Sequence, residues 1–378
     1  MSAFEQALEL TRALVRFDTT NPPGNERPCA EFLAQLLADA GYRVTLHELA
    51  PGRASLVAYL GNGRGRPLCF TGHLDTVPLG SAPWSFDPFA GEIHDGRLYG
   101  RGSSDMKAGI AAFISAALQE SRLIAEGPGV VLVLTASEET GCQGAAALVR
   151  DGVDQHNAGA IVVGEMTANY PLIGHKGALW LKLVARGKSA HGSMPERGDN
   201  ALYKAARALG KIEHYRVPAT PHPVLGTTSI SAGTLHGGSS INVVPDLAQL
   251  CVDIRSLPGM SHADTCATLL AALRPDISEV DAVLDLPAVF TDLDDPWIAA
   301  VYRITEEETG VRPEPRGASY FTDACALQQA HPGVPIVILG PGTPAMAHQT
   351  DEYCEVARID EAVRLYRRLI ADWSIRGA

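Results

Sequence analysis

Four short stretches of the chain are apolar almost without interruption: Leu68–Thr71, Val130–Ala136 (apolar except for Thr135), Ile161–Val163 and Val334–Leu339. Strands of this kind have no face to give to water, so they belong in a sheet covered on both sides. Helical signals separate them. Phe4, Leu8, Leu14 and Val15 recur at helical spacing, a helix is expected from about Pro28 to Ala40 with Gly41 as its stop, and another from Met106 to Leu123. Strand and helix in alternation imply an α/β sheet flanked by helices.

The middle of the chain has another rhythm. A strand over Leu179–Val184 leads to a helix near Asn200–Ile212, strands near Thr227–Leu235 and Ala248–Ile254, and a helix over Ala263–Leu273. At 378 residues the chain is too long for one ordinary core. The expected architecture is therefore a mixed-sheet α/β catalytic domain, split over residues 1–177 and 292–378, with a smaller α+β, ferredoxin-like domain inserted at 178–291. The insert is expected to act as a lid and dimerisation domain, hinging to close over substrate.

The formal net charge of -12 argues against nucleic acid or an anionic membrane as partner, because both need clustered Lys and Arg. No apolar run approaches the ~18 residues that span a bilayer. The first ten residues lack a basic start followed by an apolar core, so a cytoplasmic protein without a secretory leader is expected. The seven cysteines are widely spaced, with no Cys-x-x-Cys pair, and are expected to be reduced thiols.

The chemistry lies in where the acids and histidines fall. His73 and Asp75 follow one apolar run, Glu138 and Glu139 the next, and Glu165 the third. His348 follows the fourth after a Gly-Pro loop, and Asp105 stands before a helix. Ligand sites in α/β sheets form outside the carboxyl ends of the strands, where these residues converge. Imidazole and carboxylate donors without thiolate suit Zn, Co or Mn. One His and two carboxylates per ion leave a position open for water, and Asp105 could bridge two ions about 4 Å apart. Asp75 is placed to accept the second ring N–H of His73 and fix its orientation.

Over nearly the whole chain this arrangement resembles the di-zinc family of acetylornithine deacetylase, succinyl-diaminopimelate desuccinylase, aminoacylase and glutamate carboxypeptidase. The resemblance is carried by Thr71-Gly72-His73-Leu74-Asp75-Thr76-Val77-Pro78, Gly100-Arg101-Gly102-Ser103-Ser104-Asp105-Met106-Lys107 and Ser137-Glu138-Glu139-Thr140-Gly141. Further downstream lie Gly164-Glu165, Ser189-Ala190-His191-Gly192, Asn242-Val243-Val244-Pro245, Asp253-Ile254-Arg255 and Ala347-His348-Gln349-Thr350-Asp351-Glu352. It implies that His73 and Glu165 hold one metal, Glu139 and His348 the other, and that Asp105 bridges. It also implies Glu138 as general base, a cis peptide between Asp105 and Met106, and a homodimer in which His191 crosses to the partner's site to stabilise an oxyanion. Arg255 and Asn242 become substrate contacts. Ser319, within 317–323, falls in the segment that shapes the substrate carboxylate pocket, whose wording departs from both the deacetylase and the desuccinylase.

The function expected is metal-dependent hydrolysis of an amide bond in a small N-acylated amino acid. An exopeptidase acting on short peptides is the alternative with the same chemistry. A metal-binding scaffold without turnover is the alternative of another class, and Glu138 speaks against it because such a protein has no use for a base.

Overall fold

The computed structural model of the chain describes residues 2–376, which fall into two compact units. The first comprises the chain up to Gly174, Phe290–Arg316 and the part from Thr322 onward. Its centre is a six-stranded mixed sheet in the order Arg43–Ala50, Arg53–Leu60, Val130–Thr135, Leu68–His73, Ala160–Val163, Ile336–Ile338. The first two strands form an antiparallel hairpin, and Arg53–Leu60 also runs antiparallel to Val130–Thr135. The remaining neighbours are parallel. As the unalternating apolar runs require, Leu68–His73, Val130–Thr135 and Ala160–Val163 are buried along their whole length.

Helices Ala3–Val15, Ala108–Gln119 and Val356–Arg376 pack against one another beside this sheet. Phe70, Phe113 and Tyr366 meet at their junction with ring centroids 5.4 to 6.3 Å apart. Burying a ring of this size contributes about 1.5–3 kcal/mol, and the Tyr366 hydroxyl, 2.5 Å from the Leu339 carbonyl, is satisfied as it is buried. Gly109 allows the first turn of Ala108–Gln119 to reach the strand end that carries Glu165. A Cβ there would lie 1.9 Å from the Gly164 carbonyl oxygen.

That helix begins later than the apolar pattern suggests, at Ala108 instead of Met106. Asp105 (φ −119°, ψ 89°) and Met106 (φ −136°, ψ 31°) lie outside helical geometry in the turn Ser103–Lys107. The peptide bond between them is cis.

The second unit comprises His175–Val289 and Gly317–Phe321. It holds a four-stranded antiparallel sheet in the order Ser229–Gly237, Leu247–Ser256, Gly177–Arg186, Glu279–Leu286. Leu179, Leu181 and Leu183 on one central strand and Leu250, Val252 and Ile254 on the other form one apolar face with Ala201–His214 and His262–Leu273. Asn200 caps the first helix by accepting from the Leu202 and Tyr203 N–H groups. The apolar pattern does not reveal the strand Glu279–Leu286, because Glu279, Asp281 and Asp285 break it. Gly317–Phe321 clusters with this unit, whereas the sequence reading keeps it with the first. Among the described residues no helix is long and apolar enough to cross a membrane.

Candidate metal centre

Because Val130–Thr135, Leu68–His73, Ala160–Val163 and Ile336–Ile338 lie side by side and point the same way, the loops that follow them meet at one edge of the sheet. His73 is the last residue of its strand, Glu138 and Glu139 come after Thr135, and Glu165 comes after Val163. The turn Ser103–Lys107 adds Asp105, and the loop beyond Ile338 adds His348. His73 Nε2 lies 3.1 Å from Asp105 Oδ1 and 3.5 Å from Glu165 Oε1. His348 Nε2 lies 3.0 Å from Glu139 Oε2 and 3.4 Å from Asp105 Oδ2. The two oxygens of Asp105 thus face different histidines. Donor atoms of His73, Asp105 and Glu139 lie within 4.8 Å of one another, as do those of His73, Glu138 and Glu165.

Asp75 does not act as its spacing suggests. His73 Nδ1 lies 2.9 Å from the main-chain carbonyl of Asp75, while the Asp75 carboxylate is 3.7 Å away. A Nδ1–H donated to that carbonyl leaves Nε2 free to face Asp105 and Glu165. The carboxylate is occupied elsewhere. It accepts the N–H groups of Glu138 (3.0 Å) and Glu139 (3.2 Å) and the amide of Asn21 (2.8 Å). Asp75 therefore fixes the backbone that presents both glutamates.

Acidic groups outnumber cationic ones here, and they are buried. Burial and the neighbouring Glu165 and Glu139 push the Glu138 carboxyl well above its ordinary range. Burial and Asp105 do the same to Glu165. Burial opposes charge on His73, but the surrounding carboxylates raise it well above the usual imidazole value. Hydrogen bonds to Asp105 and Glu139 push His348 up to about 10. Two carboxylate oxygens, Glu139 Oε1 and Glu165 Oε2, are buried without a hydrogen-bond partner. Such atoms are costly unless a cation meets them. Converging N and O donors, orphaned oxygens and excess negative charge all fit a pair of divalent ions.

The other expected residues lie in the second unit. His191 is exposed, with Nδ1 2.7 Å from Ser193 Oγ. It is bridged to Val243, so its loop runs beside the one carrying Asn242, whose Oδ1 accepts from Ser240 Oγ at 2.6 Å. Arg255 donates to Asp253 Oδ2 through Nε (3.2 Å) and Nη2 (3.0 Å) and lies 5.8 Å from the centroid of the Phe321 ring. Ser319 is exposed on the Gly317–Phe321 segment.

Sequence reasoning missed Asn21, Arg101, Asp323 and Glu352. Asp323 is buried, approaches Thr135 Oγ1 through Oδ2 and leaves Oδ1 without a partner. Burial pushes its carboxyl up to about 6. For Asn21 the only signal was the Asn-Pro-Pro run, and Glu352 lay unassigned inside the His348 motif.

Comparison with known proteins bears on this geometry. The chain is 31% identical to acetylornithine deacetylase of Vibrio atlanticus (strain LGP32), over 96% of its own length and 97% of the relative's. In fold it is similar to the M20 family metallo-carboxypeptidase Sso-CP2 from Sulfolobus solfataricus (TM-score 0.82, 17% identity, 98% and 99% of the two chains). It is likewise similar to YXEP of Bacillus subtilis, a dinuclear metal binding peptidase (TM-score 0.73, 14% identity, 99% and 98% of the two chains). Residues 69–372, which contain every donor of the centre, match the family described as peptidase family M20/M25/M40, and the chain belongs to that family.

Proposed function

We propose that this protein is a cytoplasmic two-metal amidohydrolase that splits the amide bond of an N-acyl amino acid, releasing a carboxylate and an amine. The observation that carries this reading is Glu138, a buried carboxyl whose backbone N–H is held by Asp75, beside donors for two ions. His73 and Glu165 would hold one ion, Glu139 and His348 the other, and Asp105 both. Zinc is the ion we favour, with cobalt and manganese as alternatives; when bound it would supply Lewis acidity and bring the pKa of water toward about 7. Glu138 takes the proton of the attacking water and returns it to the leaving amine. A carboxylate can serve both steps, because it accepts the proton in the first and donates it in the second.

From the second unit we assign His191 to the oxyanion and Asn242, Arg255 and Ser319 to substrate contact. Asp253 and Phe321 fix the Arg255 guanidinium in place, which suits a planar fork for a carboxylate. The homodimer, with His191 serving the partner's site, belongs to the same reading. The similarity to acetylornithine deacetylase along the whole chain supports an N-acyl amino acid as substrate.

The test is amine release from a panel of N-acetyl and N-succinyl amino acids and dipeptides, run with added zinc, cobalt or manganese. Metal-dependent turnover of the N-acyl compounds is expected. Turnover of dipeptides alone would make the protein an exopeptidase, and two bound ions without turnover on any member would make it a scaffold.

A further inference from the structure

Glu352 is fully buried, four residues beyond His348, and its carboxylate meets four donors from one loop. Oε1 accepts the N–H groups of Ser104 (2.8 Å) and Asp105 (3.0 Å). Oε2 accepts the N–H of Gly102 (2.9 Å) and Nη1 of Arg101 (2.6 Å). Arg101, equally buried, extends the connection: Nη1 also donates to the Gln349 carbonyl (3.2 Å) and Nη2 to the Pro78 carbonyl (3.1 Å). The Arg101 guanidinium lies 5.1 Å from the centroid of the Trp84 ring, which covers it. The Gly100 N–H donates to the Glu352 carbonyl (2.9 Å) and Ser104 Oγ to the Tyr353 carbonyl (2.6 Å).

We infer that Glu352 and Arg101 are positioning residues of the metal centre, a buried ion pair that ties the loop of Asp105 to the loop of His348 and to the segment after His73. Neither side chain is a metal donor in this arrangement. Apart from the bond between them, their bonds go to the main chain of Asp105 and of residues near the donors in sequence. The pair is oriented by geometry: a carboxylate has acceptor sites for four donors, and a guanidinium is a planar fork that can reach three acceptors at once. A solvated pair would fix nothing, whereas a buried pair whose other bonds all go to the backbone favours one backbone conformation. Asp105 faces both histidines, so its backbone position sets the spacing of the two halves of the centre. Without the pair, the Asp105 N–H would be left without a partner.

The inference rests on the two-metal reading, and zinc binding tests the two separately. Zn²⁺ affinity is measured on metal-free full-length protein by competition with a chromophoric chelator, with folding checked by circular dichroism and the Co²⁺ absorption spectrum recorded in parallel. Wild type is expected to bind two ions. Glu352→Gln keeps the shape but turns an N–H₂ toward two of the four donors, and its affinity is expected to fall about 10- to 100-fold, with an altered Co²⁺ spectrum. A folded variant with wild-type affinity and spectrum would overturn the inference while leaving the two-metal reading intact. If Glu352→Gln does not fold, Arg101→Lys decides: it keeps the charge and the three backbone bonds of Glu352 but cannot reach Gln349 and Pro78 together. A folded Arg101→Lys protein with weakened Zn²⁺ binding supports the pair, and one with wild-type binding overturns it. A wild type that binds no Zn²⁺ would overturn both readings.

Discussion

Glu138 is the residue at which the proposed catalysis and the proposed metal binding can be told apart. Its side chain is buried, with a carboxylate oxygen within 4.8 Å of donor atoms of His73 and Glu165. Glu138→Gln keeps the volume and removes only the group that carries the proton. Turnover is therefore expected to fall about 10²- to 10⁴-fold, while the purified variant still carries two ions by elemental analysis. Loss of metal in step with turnover would make Glu138 a ligand instead. At this scale the donors were legible, because each stands just past an apolar run or a Gly-Ser turn. The contacts of Asp75 were not. Its spacing from His73 suggested a side-chain bond, but the carbonyl makes that bond and the carboxylate serves Glu138 and Glu139, more than sixty positions away. Pairings over such distances leave no periodic trace. Asp323 and Asn21 were missed for the same reason.

Among the elements, the second unit offers a measurable charge clamp. Arg207 and Lys211, one turn apart on Ala201–His214, both reach Asp276, which follows the helix His262–Leu273. Burial alone would raise the Asp276 carboxyl, but the bonds from Lys211 and Arg207 outweigh it and hold the group below its ordinary range. A carboxyl depressed by folding stabilises the protein above its unfolded pKa, about 3.9, and loses that contribution as pH falls through the folded value. Asp276→Asn should cost about 1 kcal/mol near neutral pH, because both cations are half in solvent. The gap between variant and wild type in urea unfolding should narrow below about pH 4. A gap independent of pH would show that charge is not its source. Elements are legible in the sequence where apolar pattern and cap agree, as in Ala201–His214 after Asn200. They are hidden where the site overrides local preference, as at Asp105 and Met106, or where acidic residues interrupt a strand, as in Glu279–Leu286.

For the molecule as a whole, the centre trades stability for function in a way that ion binding should reverse. Asp75, Asp105, Glu138, Glu165 and Asp323 are buried in or beside it, with His73 and the half-exposed His348 as the imidazoles. Glu139 Oε1, Glu165 Oε2 and Asp323 Oδ1 lack hydrogen-bond partners. Carboxylates brought this close repel one another and lose their hydration, so the fold of the first unit concentrates an unfavourable charge that metal ions at the strand ends would offset. Ions that bind the folded chain and not the unfolded one stabilise it by about 2.7 kcal/mol per site at a free concentration a hundred times Kd. In a protein of this size that corresponds to a rise in melting temperature on the order of 5 °C. Treatment with a chelator should therefore abolish turnover and lower the calorimetric melting temperature by that order, and added zinc should restore both. A melting temperature indifferent to chelator and zinc would mean that the cluster is satisfied without metal. In that case the orphaned oxygens would have to be met by bound protons, and activity would have to persist in the chelated protein.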